Sequence, residues 1–321
     1  MPQELKIAML GPRGVGKTSL LTAMYEQFES TIGQTNLQLT PDLESSAILQ
    51  ERLGELKSLT DNFEAKGGIE GTENPRSFIF ALGKKGAKPS VQLHFQDFPG
   101  GYLHPKSAAK DRKFVEDILH ESVAVLIAID APALMEDEGK WHEAINRPQQ
   151  ITDLFKSVYQ DMKSPRLVIL APVRCEKYLQ DLTSANALLK RIKDKYAKLL
   201  DLFSSDALLP WVVSVVTPVQ TVGTLILKDI REIDSTPHFY FRKTGHDAEY
   251  SPKDSEQPLR YLLRFVLKLH LDKKNWGFFN PIRVWLGWDE HLKEAARQSA
   301  NGCKSTWGFT VIQGEKWLNI G

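Results

Sequence analysis

The feature that most constrains this chain is the octapeptide GPRGVGKT at positions 11–18. It matches the pattern G-x-x-x-x-G-K-[ST], whose glycines let consecutive backbone N–H groups turn toward a phosphate. An apolar run at 5–10 precedes it, and the run at 19–28 places its apolar residues at helical spacing. The sequence therefore predicts a phosphate loop between a buried strand and a helix, whose positive N-terminal end favours an anion.

The last two residues of the octapeptide have distinct chemical roles in such loops. Lys17 would reach the β- and γ-phosphates of a nucleotide, and the Thr18 hydroxyl would ligate Mg²⁺. The motif thus predicts a nucleoside triphosphate with Mg²⁺ as the ligand.

Composition limits the alternatives. A chain of 321 residues predicts a nucleotide-binding core with insertions or an extra lobe. The 41 Lys and Arg against 40 Asp and Glu give no electrostatic argument for nucleic acid or an anionic membrane.

Cys175 and Cys303 lack metal-ligand spacing, which favours free thiols in a reducing compartment. With no apolar run of 18 residues and no room for a signal peptide before the first strand, we expect a cytoplasmic protein without a membrane span.

A second motif follows a predicted β-hairpin. Strand-like runs at 77–82 and 90–96 flank a Gly-rich turn, and the second run ends in DFPG at 97–100. At the tip of that strand, Asp97 could hold the Mg²⁺ shell and Gly100 could offer its N–H to a γ-phosphate. The pattern D-x-x-G alone also fits an ordinary turn, but its position after a hairpin downstream of a phosphate loop favours the functional interpretation.

The rest of the chain alternates between helical and strand-like patterns. Thr40-Pro41-Asp42 predicts an N-cap with proline at the first helical position, followed by an inserted helix that continues to Lys66. This alternation predicts an α/β fold with a doubly wound, mostly parallel sheet and one antiparallel hairpin strand. The predicted strands are 123–130, 166–171 and 211–216, and the predicted helices are 107–120, 149–162, 178–203 and 258–267.

Together, the phosphate loop, the hairpin ending in D-x-x-G and the later buried strands resemble the translation-factor-like (TRAFAC) class of P-loop GTPases over about residues 4–270. Three further segments, APVRCEKY at 171–178, TPVQTVG at 217–223 and YSPKDSEQPL at 250–259, resemble bacterial GTPases of the double-GTPase type. Such proteins are often encoded in multi-gene conflict systems, including anti-phage systems. The resemblance implies a Ras-like P-loop NTPase sheet and a GTP-binding switch that is one component of such a system.

The resemblance also implies a division of the chain. A GTPase-like domain would span 1–270, with a helical insertion at about 40–68 and a second insertion, a hairpin, at about 223–257. The remainder, 271–321, contains five of the seven tryptophans. Such aromatic density predicts an appendage packed on the core, with an exposed surface for a protein partner as the alternative.

The resemblance also implies functional roles for individual residues of this chain, wherever a position matches a motif of the family. The base-reading motif falls at VRCE, 173–176, where Arg174 could stack over a purine and the Glu176 carboxylate could accept from guanine N1–H and N2–H₂. Val173 supplies no side-chain hydrogen bond and glutamate replaces aspartate, so the choice of GTP or ATP stays open. The implied phosphate-loop contacts are Gly11, Gly14, Val15, Gly16, Lys17, Thr18 and Ser19. Arg13 could contact the nucleotide or a partner, or be an exposed loop residue.

The catalytic and metal residues follow in the same way. A switch threonine should precede the hairpin, which points to Thr72, with Thr31 and Thr35 as rivals. The implied metal ligands are Thr18, Thr72 and Asp97, and the implied catalytic residues are Lys17, Thr72, Gly100 and His104.

Hydrolysis is predicted to be slow. Gly101 stands where many GTPases carry a water-orienting glutamine, and His104 could approach the water or be an ordinary solvated histidine. A protein partner or self-association would then accelerate the reaction. An ATP-using subunit and a non-hydrolysing nucleotide-binding scaffold remain the alternatives, which base preference and turnover would separate.

Overall fold

The computed structural model describes residues 3–32, 37–66, 74–89, 91–104, 106–234, 236–271 and 290–320. Strands and helices alternate along most of these ranges. The strands are β1 (Gln3–Leu10), β2 (Leu37–Pro41), β3 (Glu64–Lys66), β4 (Arg76–Lys84), β5 (Val91–Asp97), β6 (Ala124–Asp130), β7 (Arg166–Val173), β8 (Val212–Val216), β9 (Leu225–Ile233), β10 (Thr236–Lys243) and β11 (Thr310–Gln313). The helices are α1 (Lys17–Ile32), α2 (Leu43–Ser58), α3 (Ala109–Glu121), α4 (Ala131–Met135), α5 (His142–Asn146), α6 (Pro148–Val158), α7 (Leu182–Lys195), α8 (Ala197–Phe203), α9 (Gln257–Leu271) and α10 (Glu290–Asn301).

Eight of the described strands form one sheet in the order β11-β8-β7-β6-β1-β5-β4-β2. The central strands β5, β1, β6, β7 and β8 pair in parallel, whereas β4, β2 and β11 join antiparallel. The predicted α/β fold, a mostly parallel sheet with an antiparallel hairpin, is confirmed. Because parallel strands share their direction, the carboxyl ends of β1, β5, β6 and β7 meet at one edge, where ligands bind in such sheets.

Helices cover both faces of this sheet, and the strand sequences show why. Successive side chains of a strand point to opposite faces, so the part of a strand that is covered on both sides is apolar at successive positions. In β1, Ile7 and Met9 pack in a cluster with α1 and α9, whereas Ala8 and Leu10 pack in a second cluster with α3, α6, α7 and α8. The two clusters hold the strand ends in fixed positions.

The helical insertion differs from its prediction at both ends. Pro41 ends β2 instead of starting the helix, and Asp42 is the N-cap, whose side chain accepts from the Ser45 N–H. The helix ends at Ser58 instead of continuing to Lys66. Residues 64–66 form β3 because β10 offers them strand hydrogen bonds, a tertiary interaction that local periodicity does not encode.

A second, smaller sheet has the order β3-β10-β9, and all its pairs are antiparallel. Strands β9 and β10 form a hairpin within the connection at 223–257. This sheet therefore joins the segment that follows α2 to a segment almost 180 residues later in the chain.

The C-terminal segment adds to the main sheet. Strand β11 pairs with β8, and Trp317 is buried, with its indole N–H donating to the Pro210 carbonyl. Trp307 is 42% exposed. Three other tryptophans of this region lie outside the described residues: Trp276, Trp285 and Trp288. Among the helices that the structure describes, none has the length and apolar character needed to cross a membrane.

Candidate nucleotide-binding site

The loop between β1 and α1 has the backbone geometry that its glycines predict. Gly14 and Gly16 have φ angles of +77° and +99°, in the region that glycine adopts without strain. Helix α1 begins at Lys17, so its unpaired first-turn N–H groups lie directly after the loop.

Lys17 is buried where a triphosphate would bind. Its side chain is 6% exposed, and its ammonium group donates to the Gly11 carbonyl at 3.0 Å and lies 3.7 Å from Asp97 Oδ1. Burial lowers the pKa of Lys17, and the nearby Asp97 carboxylate opposes that shift. The Lys17 ammonium therefore lies beside the loop as a buried donor paired with the Asp97 carboxylate.

Asp97 brings the second sequence motif to the first. It ends β5, which pairs with β1, and its Oδ2 accepts from the Thr18 hydroxyl at 2.7 Å. These oxygens are of the hard type that Mg²⁺ prefers, and the Asp97 carboxylate is buried beside the phosphate loop. The donor set therefore fits a magnesium site shared by Thr18 and Asp97.

Gly100 lies directly against the phosphate loop. A Cβ added to Gly100 would come within 2.0 Å of the Arg13 amide nitrogen and 2.2 Å of the Pro12 carbonyl carbon. Gly101 is exposed, and a Cβ added there would meet nothing within 4 Å. The two adjacent glycines thus differ sharply: the first permits a close backbone approach, and the second has open space around it.

Arg174, directly after β7, connects the tip of β6 to the phosphate loop. One guanidinium nitrogen donates to Asp130 Oδ2 at 2.7 Å, and another donates to the Gly14 carbonyl at 3.0 Å. Its backbone has φ +60°, a left-handed conformation that is uncommon outside glycine. Arg174 is therefore fixed by the tip of β6 and by the phosphate loop, and its side chain flanks the pocket described below.

Glu176 is buried, and one of its oxygens holds the loop after β8. Oε1 accepts from the backbone N–H groups of Val222 and Gly223, each at 2.9 Å. Burial raises the pKa of the Glu176 carboxyl, and the two amides act in the opposite direction. The sequence interpretation gave the whole carboxylate to the base. The structure engages Oε1 with the chain itself, so recognition of a base would fall to Oε2.

A pocket adjoins the phosphate loop at this point. Its lining combines backbone and polar groups of the core with apolar side chains from the two insertions. The lining residues are Gly16, Ser19, Leu56, Leu59, Ala65, Val173, Arg174, Glu176, Thr221, Val222, Leu225 and Phe241.

Behind Arg174, a buried polar network supports the tip of β6. The Asn146 amide accepts from the Asp130 N–H and donates to the Asp130 carbonyl, and its nitrogen lies 3.1 Å from His142 Nδ1. His142 is fully buried, and burial lowers its pKa from 6.5 to about 4, with Lys195 and Arg191 adding to the shift. The Asn146 contact matches a neutral imidazole that accepts at Nδ1.

Because His142 is buried and neutral, we expect the free energy of unfolding to fall in mild acid. The unfolded chain takes up a proton near pH 6.5 and the folded chain only near pH 4, so stability present above pH 6.5 is lost as the pH falls toward 4. Replacing His142→Gln should reduce that loss by up to about 3 kcal/mol. Urea unfolding at pH 7, 5.5 and 4.5 measures it, with the exposed His120→Gln as the control. Equal pH slopes for both variants would contradict the assignment.

The remaining site residues that the sequence predicted lie in different parts of the structure. Arg13 is exposed, Val15 is fully buried in the core, and Ser19 lines the pocket. His104 lies in a different groove, between α3 and α6, and its Nδ1 accepts from the Lys106 N–H. Its catalytic role stays a prediction. Thr72 and Thr35 lie outside the described residues, and Thr31 is described only as part of α1.

Sequence reasoning did not identify Asp130, Thr221 or Phe241 as site residues. Asp130 ends a buried strand as Asp97 does, so the same reasoning about strand tips would have found it. Thr221 accepts from the Arg174 N–H. Phe241 carried no local signal, because it reaches the pocket through the pairing of β10 with β3.

Comparison with known proteins identifies one family. The model of the family described as Double-GTPase 2 matches residues 6–207. No curated protein sequence matches this chain significantly.

Similar solved structures include two of the Ski7 GTPase-like domain from S. cerevisiae. The one bound to GTP is 15% identical, with a TM-score of 0.37, and the match covers 68% of this chain and 42% of that one. The one bound to GDP and inorganic phosphate is 17% identical, with a TM-score of 0.33, and the match covers 68% and 43%. This chain thus spans less than half the length of those two structures.

Proposed function

Because this chain belongs to the Double-GTPase 2 family of P-loop GTPases, we propose that it is a Mg²⁺-dependent switch that binds GTP and hydrolyses it slowly. The observation that carries the proposal is the convergence of the two motifs, with Thr18 and Asp97 2.7 Å apart and Gly100 against the loop. A γ-phosphate at this point would contact both motifs at once. Its loss on hydrolysis would remove a contact that orders the segment after β5.

Each residue of the site would have a separate role in binding the nucleotide and Mg²⁺. The N–H groups of the loop and of the first turn of α1 bind the phosphates, and Lys17 neutralises their charge. Thr18 and Asp97 would hold Mg²⁺, with Thr72 as a further proposed ligand. When bound, Mg²⁺ would help neutralise the charge that develops on the phosphates. The Gly100 N–H is proposed to sense the γ-phosphate.

Guanine recognition is assigned to Glu176 and can be tested by a conservative substitution. Glu176→Gln keeps an oxygen that can accept from Val222 and Gly223 but loses the charge and the second acceptor, whereas Glu176→Ala removes both functions. Loss of the charged base contact through Oε2 should weaken mant-GTP binding by about 10- to 100-fold in both variants. The melting temperature should fall mainly in Glu176→Ala.

Competition with unlabelled GTP and ATP in the presence of Mg²⁺ completes this test. Preferential GTP binding that weakens in Glu176→Gln supports the assignment. Equal or tighter ATP binding, unchanged by the substitution, would overturn the guanine assignment and favour an ATP-using subunit.

Turnover separates a switch from a non-hydrolysing scaffold, the second candidate. The exposed Gly101 favours that candidate because the position offers no side chain to orient water. Phosphate release that is measurable but slow supports the switch, and its complete absence supports the scaffold.

We propose in addition that a protein partner or a second copy of the chain accelerates hydrolysis, as part of a bacterial multi-protein system such as an anti-phage system. The arginine that a partner supplies to some GTPases raises their rate by about 10³ to 10⁵. A phosphate-release rate per molecule that rises with protein concentration would support self-association.

A further inference from the structure

One wall of the pocket beside the phosphate loop is apolar and comes from the two insertions. We call this wall the roof, and its residues are Leu56, Leu59, Ala65, Leu225 and Phe241. Leu56 and Phe241 are 2% and 6% exposed, so the roof is part of a packed layer and not an open flap. Leu56 lies in α2, Leu59 directly after it and Ala65 in β3, whereas Leu225 and Phe241 come from the β9–β10 hairpin, much later in the chain.

Other residues that line the pocket carry the polar groups of the proposed nucleotide site. Gly16 and Ser19 belong to the phosphate loop and the first turn of α1, and Arg174 and Glu176 belong to the loop after β7. The Arg174 guanidinium carbon lies 5.9 Å from the centre of the Phe241 ring. The pocket thus has an apolar, partly aromatic side and a polar edge.

This combination matches the chemistry of a purine base. A purine has two apolar faces that pack on aromatic and aliphatic side chains, and a polar edge that needs hydrogen-bonding groups. The roof would cover a face, while Glu176 lies at the position suited to the edge. The pocket adjoins the loop assigned to the phosphates, as the connection through a ribose requires.

A short strand pair holds the two halves of the roof together. Strand β3 pairs with β10 at three positions, including Ala65 with Phe241, and the Lys243 N–H donates to the Phe63 carbonyl. Phe63 also stacks on His246 with ring centres 4.7 Å apart. So few pairings can part locally without unfolding the main sheet, which contains neither β3 nor β10.

We propose that the roof closes over the base of the bound nucleotide and that parting of β3 from β10 sets the rate of nucleotide exchange. The inference rests on the proposed function, because it takes the occupant of the pocket to be the nucleotide of that site. It adds to that function a wall that covers the base and a point of regulation, since a partner that separates β3 from β10 would release the nucleotide.

The first experiment compares two phenylalanines of β10. Both lie in the same apolar cluster, but Phe241 lines the pocket and Phe239 does not. Displacement of mant-GDP by excess GDP measures release. We expect release about tenfold faster for Phe241→Ala, since stacking on an aromatic ring makes a large contribution to base binding. The Phe239→Ala control should stay within about threefold of wild type. Equal release rates for the two variants would overturn the proposal that the roof covers the base.

A second measurement tests whether the roof covers the base and not the phosphates. Phe241→Ala should weaken GTP as a competitor of mant-GTP, whereas inorganic tripolyphosphate, which has no base, should compete equally against both proteins. Equal weakening of both competitors would show that Phe241 acts through the fold of the site.

A reversible crosslink tests the exchange step. Glu64 and Arg242 are exposed antiparallel partners of β3 and β10. The Cα atoms of such partners lie about 4.5–5.5 Å apart, within the roughly 4.4–6.8 Å that a disulfide spans. In the oxidised Glu64→Cys/Arg242→Cys protein, release of preloaded mant-GDP should slow at least tenfold, and reductant should restore it. The single variant Glu64→Cys controls for the native Cys175 and Cys303.

The outcomes separate this inference from the proposed function. If the wild type binds neither mant-GTP nor mant-ATP, the proposed function fails. If it binds nucleotide but the crosslink leaves release unchanged after oxidation is verified by thiol counting, exchange does not require parting of β3 from β10, and the inference alone is overturned.

Discussion

Replacing Gly100 by alanine is expected to lower the free energy of unfolding by about 3 kcal/mol, the upper part of the range for overpacked sites. The added Cβ would lie 2.0 Å from the Arg13 nitrogen and 2.7 Å from the Pro12 Cα, so the backbone of the phosphate loop must move. Loss of even one charge-assisted hydrogen bond to a phosphate weakens binding by roughly tenfold or more. GTP affinity should therefore fall together with stability.

The neighbouring glycine provides a matched control. Gly101→Ala adds the same methyl group one residue later, in open space, and should change the free energy of unfolding by less than about 0.5 kcal/mol. Urea unfolding and mant-GTP titration of both variants measure the difference. If Gly100→Ala behaves like Gly101→Ala, the close approach of the two motifs does not exist in solution.

Replacing Lys17 by alanine is expected to weaken mant-GTP binding by about 100-fold or more, which corresponds to roughly 3 kcal/mol. The substitution removes a buried cation that faces the proposed phosphate site. Asp97 keeps its hydrogen bond from Thr18, so the variant should remain folded. Circular dichroism and thermal unfolding would verify this.

The control for charge is Lys113→Ala, which removes a lysine from an exposed pair with Asp117 on α3. Nucleotide affinity should be unchanged there, because an exposed pair contributes little and lies on a helix away from the loop. A Lys17→Ala protein that binds GTP like the wild type would contradict the proposed function as a whole.

The parts of the fold that could be predicted from the sequence are those whose cause is local. The glycines of the octapeptide determine its backbone geometry, and the buried parallel strand β6 is apolar at every position before its terminal Asp130. The β4–β5 hairpin was predicted by its turn and its two flanking runs, and it is confirmed. Asp97 could be placed at the edge of the site because it ends a strand.

The parts that could not be predicted depend on distant partners. Strands β2, β3 and β11 have five, three and four residues, too few for a periodic signal, and each is defined by the strand beside it. The same holds for the site. Nothing near Glu176 in sequence indicates that Oε1 is engaged by Val222 and Gly223, and nothing near Phe241 indicates a pocket.

Strand β11 has a consequence for how the protein is made. It covers the edge of β8, but it leaves the ribosome about ninety residues after its partner. At synthesis rates of about 5–20 residues per second, the nascent sheet would keep that edge unpaired for on the order of 5 to 20 seconds. An unpaired strand edge is a site for misassembly with other chains, so the edge of β8 is open to such pairing before β11 emerges and is covered afterwards.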